Sequence, residues 1–195
     1  MDQAALFDLP DPPPALPPGM RYEADFLSRD EERGLLALVQ ALPLQAARYK
    51  DYTARRRVVS YGGRYDYDAN ELRPSAPLIE ALHPLRERAA AWAGVAPEAL
   101  EHVLVAEYPP GAPLGWHRDV PDFEDVVGVS LGTAATLRLR PWPPVDPKRA
   151  DILRLEAAPR SIYLLRGAAR WAWQHSVAPV PERRWSITLR TRRAR

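Results

Sequence analysis

Cysteine is absent from the 195-residue chain, which excludes disulfides, zinc-thiolate centres and iron–sulfur clusters. Any metal must be held by histidine and carboxylate. Lysine is almost absent too: Lys50 and Lys148 are the only ones, so the cations are nearly all arginine. Arginine matches phosphate in a bidentate way, yet an Ala-, Arg- and Pro-rich composition also follows from a GC-rich coding background, so charge alone names no partner. No uncharged apolar run approaches the roughly 20 residues of a membrane-spanning helix. The N-terminus MDQAALFDLPDPPP is acidic and proline-rich where a signal peptide is basic and then apolar. These absences lead us to expect a soluble, cytoplasmic protein, and we separately expect a monomer.

What is present divides into a tail and one domain. Prolines 10, 12, 13, 14, 17 and 18 leave residues 1–20 without regular structure, a flexible tail ahead of a domain over 21–195. Ser28-Arg-Asp-Glu31 has the spacing of a capping box, and Leu35, Leu36, Leu38, Val39 and Leu42 follow at helical intervals, which predicts a helix over 29–41. Leu78, Ile79, Leu82, Leu85 and Trp92 form a second helical stripe ending near Gly94, with Pro84 expected to kink or divide it. From residue 102 onward short alternating runs replace helix: HVLVAEY, VVGVSLG, ATLRLR, ILRLE, SIYLLR, WQHSVAP and RWSITLRT. PWPPVDPKRAD, 141–151, is read as a surface loop between two of them. Helices followed by strands predict an α+β fold, a double-stranded β-helix (jelly roll) buttressed by N-terminal helices.

Within PLGWHRDV, residues 113–120, His117 and Asp119 face one way in extended chain and can point at one ion. A third ligand has to come from His83, His102 or His175. His83 precedes a proline in the helical region, whereas His175 lies in a late strand, so His117, Asp119 and His175 form the candidate set. Two histidines and a carboxylate make the facial triad of non-haem Fe(II) oxygenases. The alternative is an exposed His117 and a hydrogen-bonded core His175. In Arg184-Trp-Ser-Ile-Thr-Leu-Arg190, period two places Arg184, Ser186, Thr188 and Arg190 opposite a core-facing Trp185, Ile187 and Leu189. Two inward guanidiniums need anionic partners. A dicarboxylate such as 2-oxoglutarate fits between them, unless both arginines extend to solvent from an edge strand.

The tract Tyr108-Pro-Pro-Gly-Ala-Pro-Leu-Gly-Trp-His117-Arg-Asp119, Val127-Gly-Val-Ser-Leu-Gly132, Trp173-Gln-His175 and the Arg184/Arg190 strand, in this order, resemble the AlkB-like Fe(II)/2-oxoglutarate dioxygenases over most of residues 55–193. The resemblance implies Fe(II) on His117, Asp119 and His175. It implies that Arg184 pairs with the distal carboxylate of 2-oxoglutarate with help from the Tyr108 hydroxyl, that Ser186 lies beside them, and that Arg190 serves the chelating end. It further implies oxidative dealkylation of N-alkylated bases in alkylated DNA or RNA, with 2-oxoglutarate and O2 as co-substrates. DNA repair is the leading expectation. A relative acting on tRNA or protein, and a non-catalytic cupin-like metal-binding module, are the alternatives. A plain cupin has no use for the two arginines.

The sequence departs from the commonest pattern: Ala106 and Ser186 stand where asparagines often contact the co-substrate, and Val120-Pro121 where the bacterial prototype reads the base with an acidic residue. The stretch from Arg55 to Tyr67 resembles the nucleotide-recognition region. It implies Tyr67 for stacking against a base with His117 as the other wall, Tyr65 for a hydrogen bond, and Tyr61 and Arg57 as further substrate contacts; the alternative is a hairpin whose tyrosines cover the core. Gln3-x-x-Leu6-Phe7 resembles the short peptide by which bacterial repair proteins dock on the sliding clamp, against the alternatives of an idle tail or of Leu6, Phe7 and Leu9 packing back on the domain.

Overall fold

The computed structural model describes residues 15–49, 52–144 and 152–194. Within them the chain runs β1 (Met20–Glu23), α1 (Arg29–Gln40), β2 (Gln45–Tyr49), β3 (Tyr52–Tyr61), β4 (Arg64–Asp66), β5 (Glu71–Arg73), a 3-10 turn, α2 (His83–Ala93), β6 (His102–Tyr108), β7 (Leu114–His117), β8 (Phe123–Leu131), β9 (Ala135–Pro141), β10 (Leu153–Ala157), β11 (Ile162–Leu165), α3 (Ala168–Trp171), β12 (Trp173–Val177) and β13 (Arg184–Arg192). The clamp-like Gln3, Leu6 and Phe7 and most of the loop expected at 141–151 lie outside the described residues. No helix among those described is long and apolar enough to cross a membrane.

The two long helices, α1 and α2, follow from local chemistry. The Ser28 hydroxyl accepts from the Glu31 amide and the Glu31 carboxylate accepts from the Ser28 amide, closing the capping box of α1. Pro84 falls in the first turn of α2, where the N–H it lacks has no helical acceptor, so it starts the helix and does not kink it. Gly94, at φ 71°, closes the other end in the left-handed conformation.

Two antiparallel sheets build the jelly roll: seven strands in the order β1-β11-β8-β13-β6-β3-β2 and four in the order β10-β9-β12-β7, with β4 and β5 forming a separate small hairpin. Alternation along the strands splits the apolar residues into two cores. Val103, Val105, Val127, Val129, Ile187 and Leu189 face outward from the large sheet and meet Val39, Leu85, Ala89 and Ala90 of the helices. Ala106, Tyr108, Leu137, Leu139, Tyr163 and Val177 fill the space between the sheets. The helices therefore cover one face and leave the interior of the roll for the site. Residues 15–20, expected within the tail, are held on the domain: Pro17 is buried, the Pro18 carbonyl accepts from the Ala169 amide at 2.9 Å, and Met20 opens β1 against β11.

Candidate metal centre and co-substrate pocket

β7 and β12 are neighbours, and their register sets His117 directly opposite His175. Leu114 opposes Val177, so β7 uses three steps where β12 uses two. This bulge turns both Leu114 and His117 inward. The chain leaves the sheet after His117, and Asp119 swings beneath the imidazoles. The two rings lie 4.2 Å apart, and one donor atom from each of His117, Asp119 and His175 falls within 4.8 Å of the others.

Hydrogen bonding sets which atoms face inward. His117 Nδ1 donates to the Gly115 carbonyl at 2.9 Å, leaving Nε2 with a lone pair. Asp119 Oδ1 accepts from Arg190 Nε at 2.7 Å and from Arg190 Nη2 at 2.6 Å. Asp119 Oδ2 is buried with no hydrogen-bond donor and sits 3.4 Å from His175 Nε2. Burial pushes His117 down, and burial with His117 beside it pushes His175 to about 3, so both rings are neutral. Burial works to raise Asp119, but Arg190, then His175, His117 and Arg170, hold its carboxyl well below the usual range. A bare carboxylate oxygen beside two neutral imidazoles is an arrangement that a divalent cation satisfies.

Arg190 is thus engaged with Asp119, and its Nη1 also donates to His102 Nδ1 at 3.2 Å. His102 is a partner of that arginine and stays outside the ligand set; burial and then Arg190 lower it to about 3. Arg170 fixes the Asp119 turn from behind. Its Nη2 donates to the carbonyls of Asp119, Val120 and Phe123 at 3.2, 2.8 and 2.8 Å.

Arg184 lies six residues along β13 from Arg190, on the same inward face, and is 3% exposed. Its Nη2 donates to Ser130 Oγ at 2.7 Å, its guanidinium rests 5.1 Å from the Tyr108 ring, and its buried Nε and Nη1 have no acceptor. Two buried donors on a permanent cation fit a carboxylate. Ser186 lies between the arginines and opposes Ala106 and Ser130, so small side chains line this stretch and Ser130 adds a hydroxyl. Tyr163 reaches the same space across Gly128, where a Cβ would fall 2.2 Å from its ring, and burial raises its hydroxyl to about 12.

The expected substrate residues divide. Tyr67, 36% exposed, leans over the site: its hydroxyl is raised by burial and lies within the field of Arg56, Arg190 and Asp119. Tyr65 meets it edge to face at 5.0 Å. Asp66 between them accepts from the amides of Asp68 and Ala69 and pins the turn. Tyr61 and Arg57 are not brought to the site. β3 is extended, so its odd-numbered residues face the helices: Tyr61 is buried in the helix-side core, and Arg57 pairs with buried Glu107. The inward arginine is Arg56, which the run Arg55-Arg56-Arg57 could not single out without strand parity.

Residues 20–194 match the family described as the 2OG-Fe(II) oxygenase superfamily. The chain is 30% identical over 182 residues to the Alkylated DNA repair protein ALKBH8 homolog of Arabidopsis thaliana, covering 82% of this chain and 51% of that one. It is 25% identical over 176 residues to the tRNA (carboxymethyluridine(34)-5-O)-methyltransferase alkbh8 of Xenopus tropicalis, covering 85% of this chain and 26% of that one. It therefore spans about half or less of the length of these curated relatives. In three dimensions it resembles OsALKBH1, with a TM-score of 0.70 and 18% identity over 92% of this chain and all of that one. A Pseudomonas putida prolyl-4-hydroxylase follows, with a TM-score of 0.62 and 18% identity over 90% of this chain and 93% of that one.

Proposed function

We propose, for a chain that belongs to the AlkB-like Fe(II)/2-oxoglutarate oxygenases and is a 2-oxoglutarate-dependent dioxygenase, that it oxidises an N-alkyl group on a nucleic-acid base. The observation that carries this reading is the edge-to-face pair of Tyr65 and Tyr67, with the Tyr67 hydroxyl close enough to Arg56, Arg190 and Asp119 to feel their charges. An aromatic pair beside a buried cation suits a base turned out of its stack with an anionic backbone attached. Neither a free amino acid nor a sugar would use both.

His117 Nε2, Asp119 Oδ2 and His175 Nε2 would hold the iron, and Arg184, Ser130 and Tyr108 would bind the distal carboxylate of 2-oxoglutarate. Iron and co-substrate together supply the oxidising power from O2, with succinate and CO2 as by-products. The protein's share is placement. Arg190 holds the ligand carboxylate in one rotamer and Arg170 fixes the turn beneath it. Tyr67 and the His117 ring would confine the base so that its alkyl carbon lies over the site, which is orientation more than acid–base work. A hydroxylated N-methyl group then loses formaldehyde and leaves the unmodified base.

DNA repair remains the leading reading, and the curated relatives give a reason to hold RNA beside it, since the Xenopus relative acts by name on tRNA. The test is succinate release with Fe(II) over a panel of methylated and etheno-bridged oligonucleotides, each as DNA and RNA, single- and double-stranded. Stimulation by a modified oligonucleotide with loss of its alkyl group supports the proposal. Turnover stimulated only by peptides would overturn it.

A further inference from the structure

The strands that bring His117 and His175 inward carry a different chemistry on their outer face. Trp116 points out from β7, and Arg138 and Arg140 of β9 reach toward it across β12, their guanidiniums 5.3 and 4.4 Å from the indole ring. β12 carries them: Arg138 Nε donates to Ser176 Oγ at 3.0 Å and Arg140 Nε to Gln174 Oε1 at 2.8 Å. One step further along the same two chain segments, Arg118 stands 5.1 Å over the exposed ring of Trp142. Arginine and tryptophan thus alternate across one sheet face, and Arg118 lies between the two ligands of β7 and its turn.

Among the described residues no carboxylate bonds Arg118, Arg138 or Arg140; their partners are hydroxyl, amide, carbonyl and ring. Arg154 opposes Arg138 on β10 and extends the charge, while Glu156 opposes Thr136 toward the other end of the strand. A structural lattice would gain by pairing these cations with acids. This one sets them over indole rings with no acid paired to them among the described residues, which fits a polyanion whose units also carry planar rings.

We infer that the outer face of the four-stranded sheet, through Trp116, Arg118, Arg138, Arg140 and Trp142, binds the single-stranded nucleic acid that flanks the modified nucleotide. The inference rests on the nucleic-acid reading above. Strand passing over Arg118 at the site mouth would continue onto Trp116 and the two arginines. Phosphates would meet the guanidiniums, and bases would stack on the exposed indole of Trp142 without regard to sequence.

The experiment is fluorescence anisotropy of a labelled, unmodified 15-nucleotide single strand, as RNA and as DNA, titrated with the full chain across a salt series. Arg138→Gln/Arg140→Gln should bind roughly 10-fold more weakly, with the log–log salt slope shallower by about 1.4, at about 0.7 per phosphate lost. Arg138→Lys/Arg140→Lys should recover the slope. Arg29→Gln/Arg33→Gln on α1 should match wild type, and unchanged Fe(II) affinity would show that the sheet variants are folded. Wild-type affinity and slope in the Gln variant would overturn this surface while leaving the active-site reading intact. Failure of the wild-type chain to bind either strand would overturn this surface, and the succinate-release panel decides the active-site reading separately. Displacement by polyglutamate at equal charge would reduce the surface to a general anion binder and overturn the inference.

Discussion

Arg184 shows how much one residue can announce. A guanidinium with two buried, acceptorless donors is costly unless something anionic arrives, so its removal should be felt first by the co-substrate. Arg184→Gln is expected to weaken 2-oxoglutarate by roughly 30- to 100-fold, the loss of a charge-assisted pair of about 2–3 kcal/mol, and to leave Fe(II) affinity within about 3-fold. Calorimetric titrations of each in turn check this; co-substrate affinity equal to wild type would mean that another cation does the binding. By contrast, His175→Ala should abolish tight Fe(II) binding, measured anaerobically. These residues were legible because chemistry and spacing coincided: a His-x-Asp pair, one late histidine, two arginines six apart. Tyr163 and Ser130 were not. In SIYLLR and VVGVSLG they sit inside apolar runs, and nothing in such a run says which of its two faces looks into the pocket.

At the scale of elements, strand parity and backbone room decide which side chains reach the site. β3 turns Arg56 inward and Arg57 outward, so the two neighbours should behave differently. Arg56→Gln is expected to raise the apparent KM for an oligonucleotide substrate about 10-fold. Arg57→Gln should leave that KM alone and cost about 1 kcal/mol, because Arg183 still faces Glu107 at 3.3 Å. Equal KM effects in the two variants would contradict the register of β3 on β6. Gly128 makes the same point through volume. Its missing side chain lets the Tyr163 ring lie across β8, and Gly128→Ala should cost about 2–3 kcal/mol by denaturant unfolding and weaken 2-oxoglutarate together with it. The sequence showed Gly128 only as part of a family-like run. Likewise the capping box of α1 was plain, while the bulge in β7 was not, since a bulge depends on the partner strand's register and leaves no local mark.

For the molecule as a whole, the consequence of this design is a basic pocket lined with neutral histidines inside a packed roll, and it should make the metal-free protein acid-labile. His102 and His175 are pushed to about 3 from an ordinary 6.5, and His117 is pushed the same way. A depressed histidine binds its proton more readily in the unfolded chain. Stability is therefore complete above about pH 6.5 and is lost as pH falls toward 3, because each such group then favours unfolding by about 1.4 kcal/mol per pH unit. Asp119, held low, adds its own loss only once the unfolded carboxylate begins to protonate, so between about pH 4.5 and 6 the histidines act largely by themselves. His102 is the informative one to remove. It accepts from Arg190 through Nδ1 and packs on Phe123 at 4.6 Å without belonging to the ligand set, and a glutamine carbonyl can take the same hydrogen bond without titrating. In urea titrations of metal-free protein at pH 6.0, 5.5, 5.0 and 4.5, His102→Gln should lose stability less steeply than wild type by about one proton, or about 1.4 kcal/mol per pH unit. Parallel slopes would mean that His102 is protonated in the folded protein, and that Arg190 is oriented by Asp119 alone.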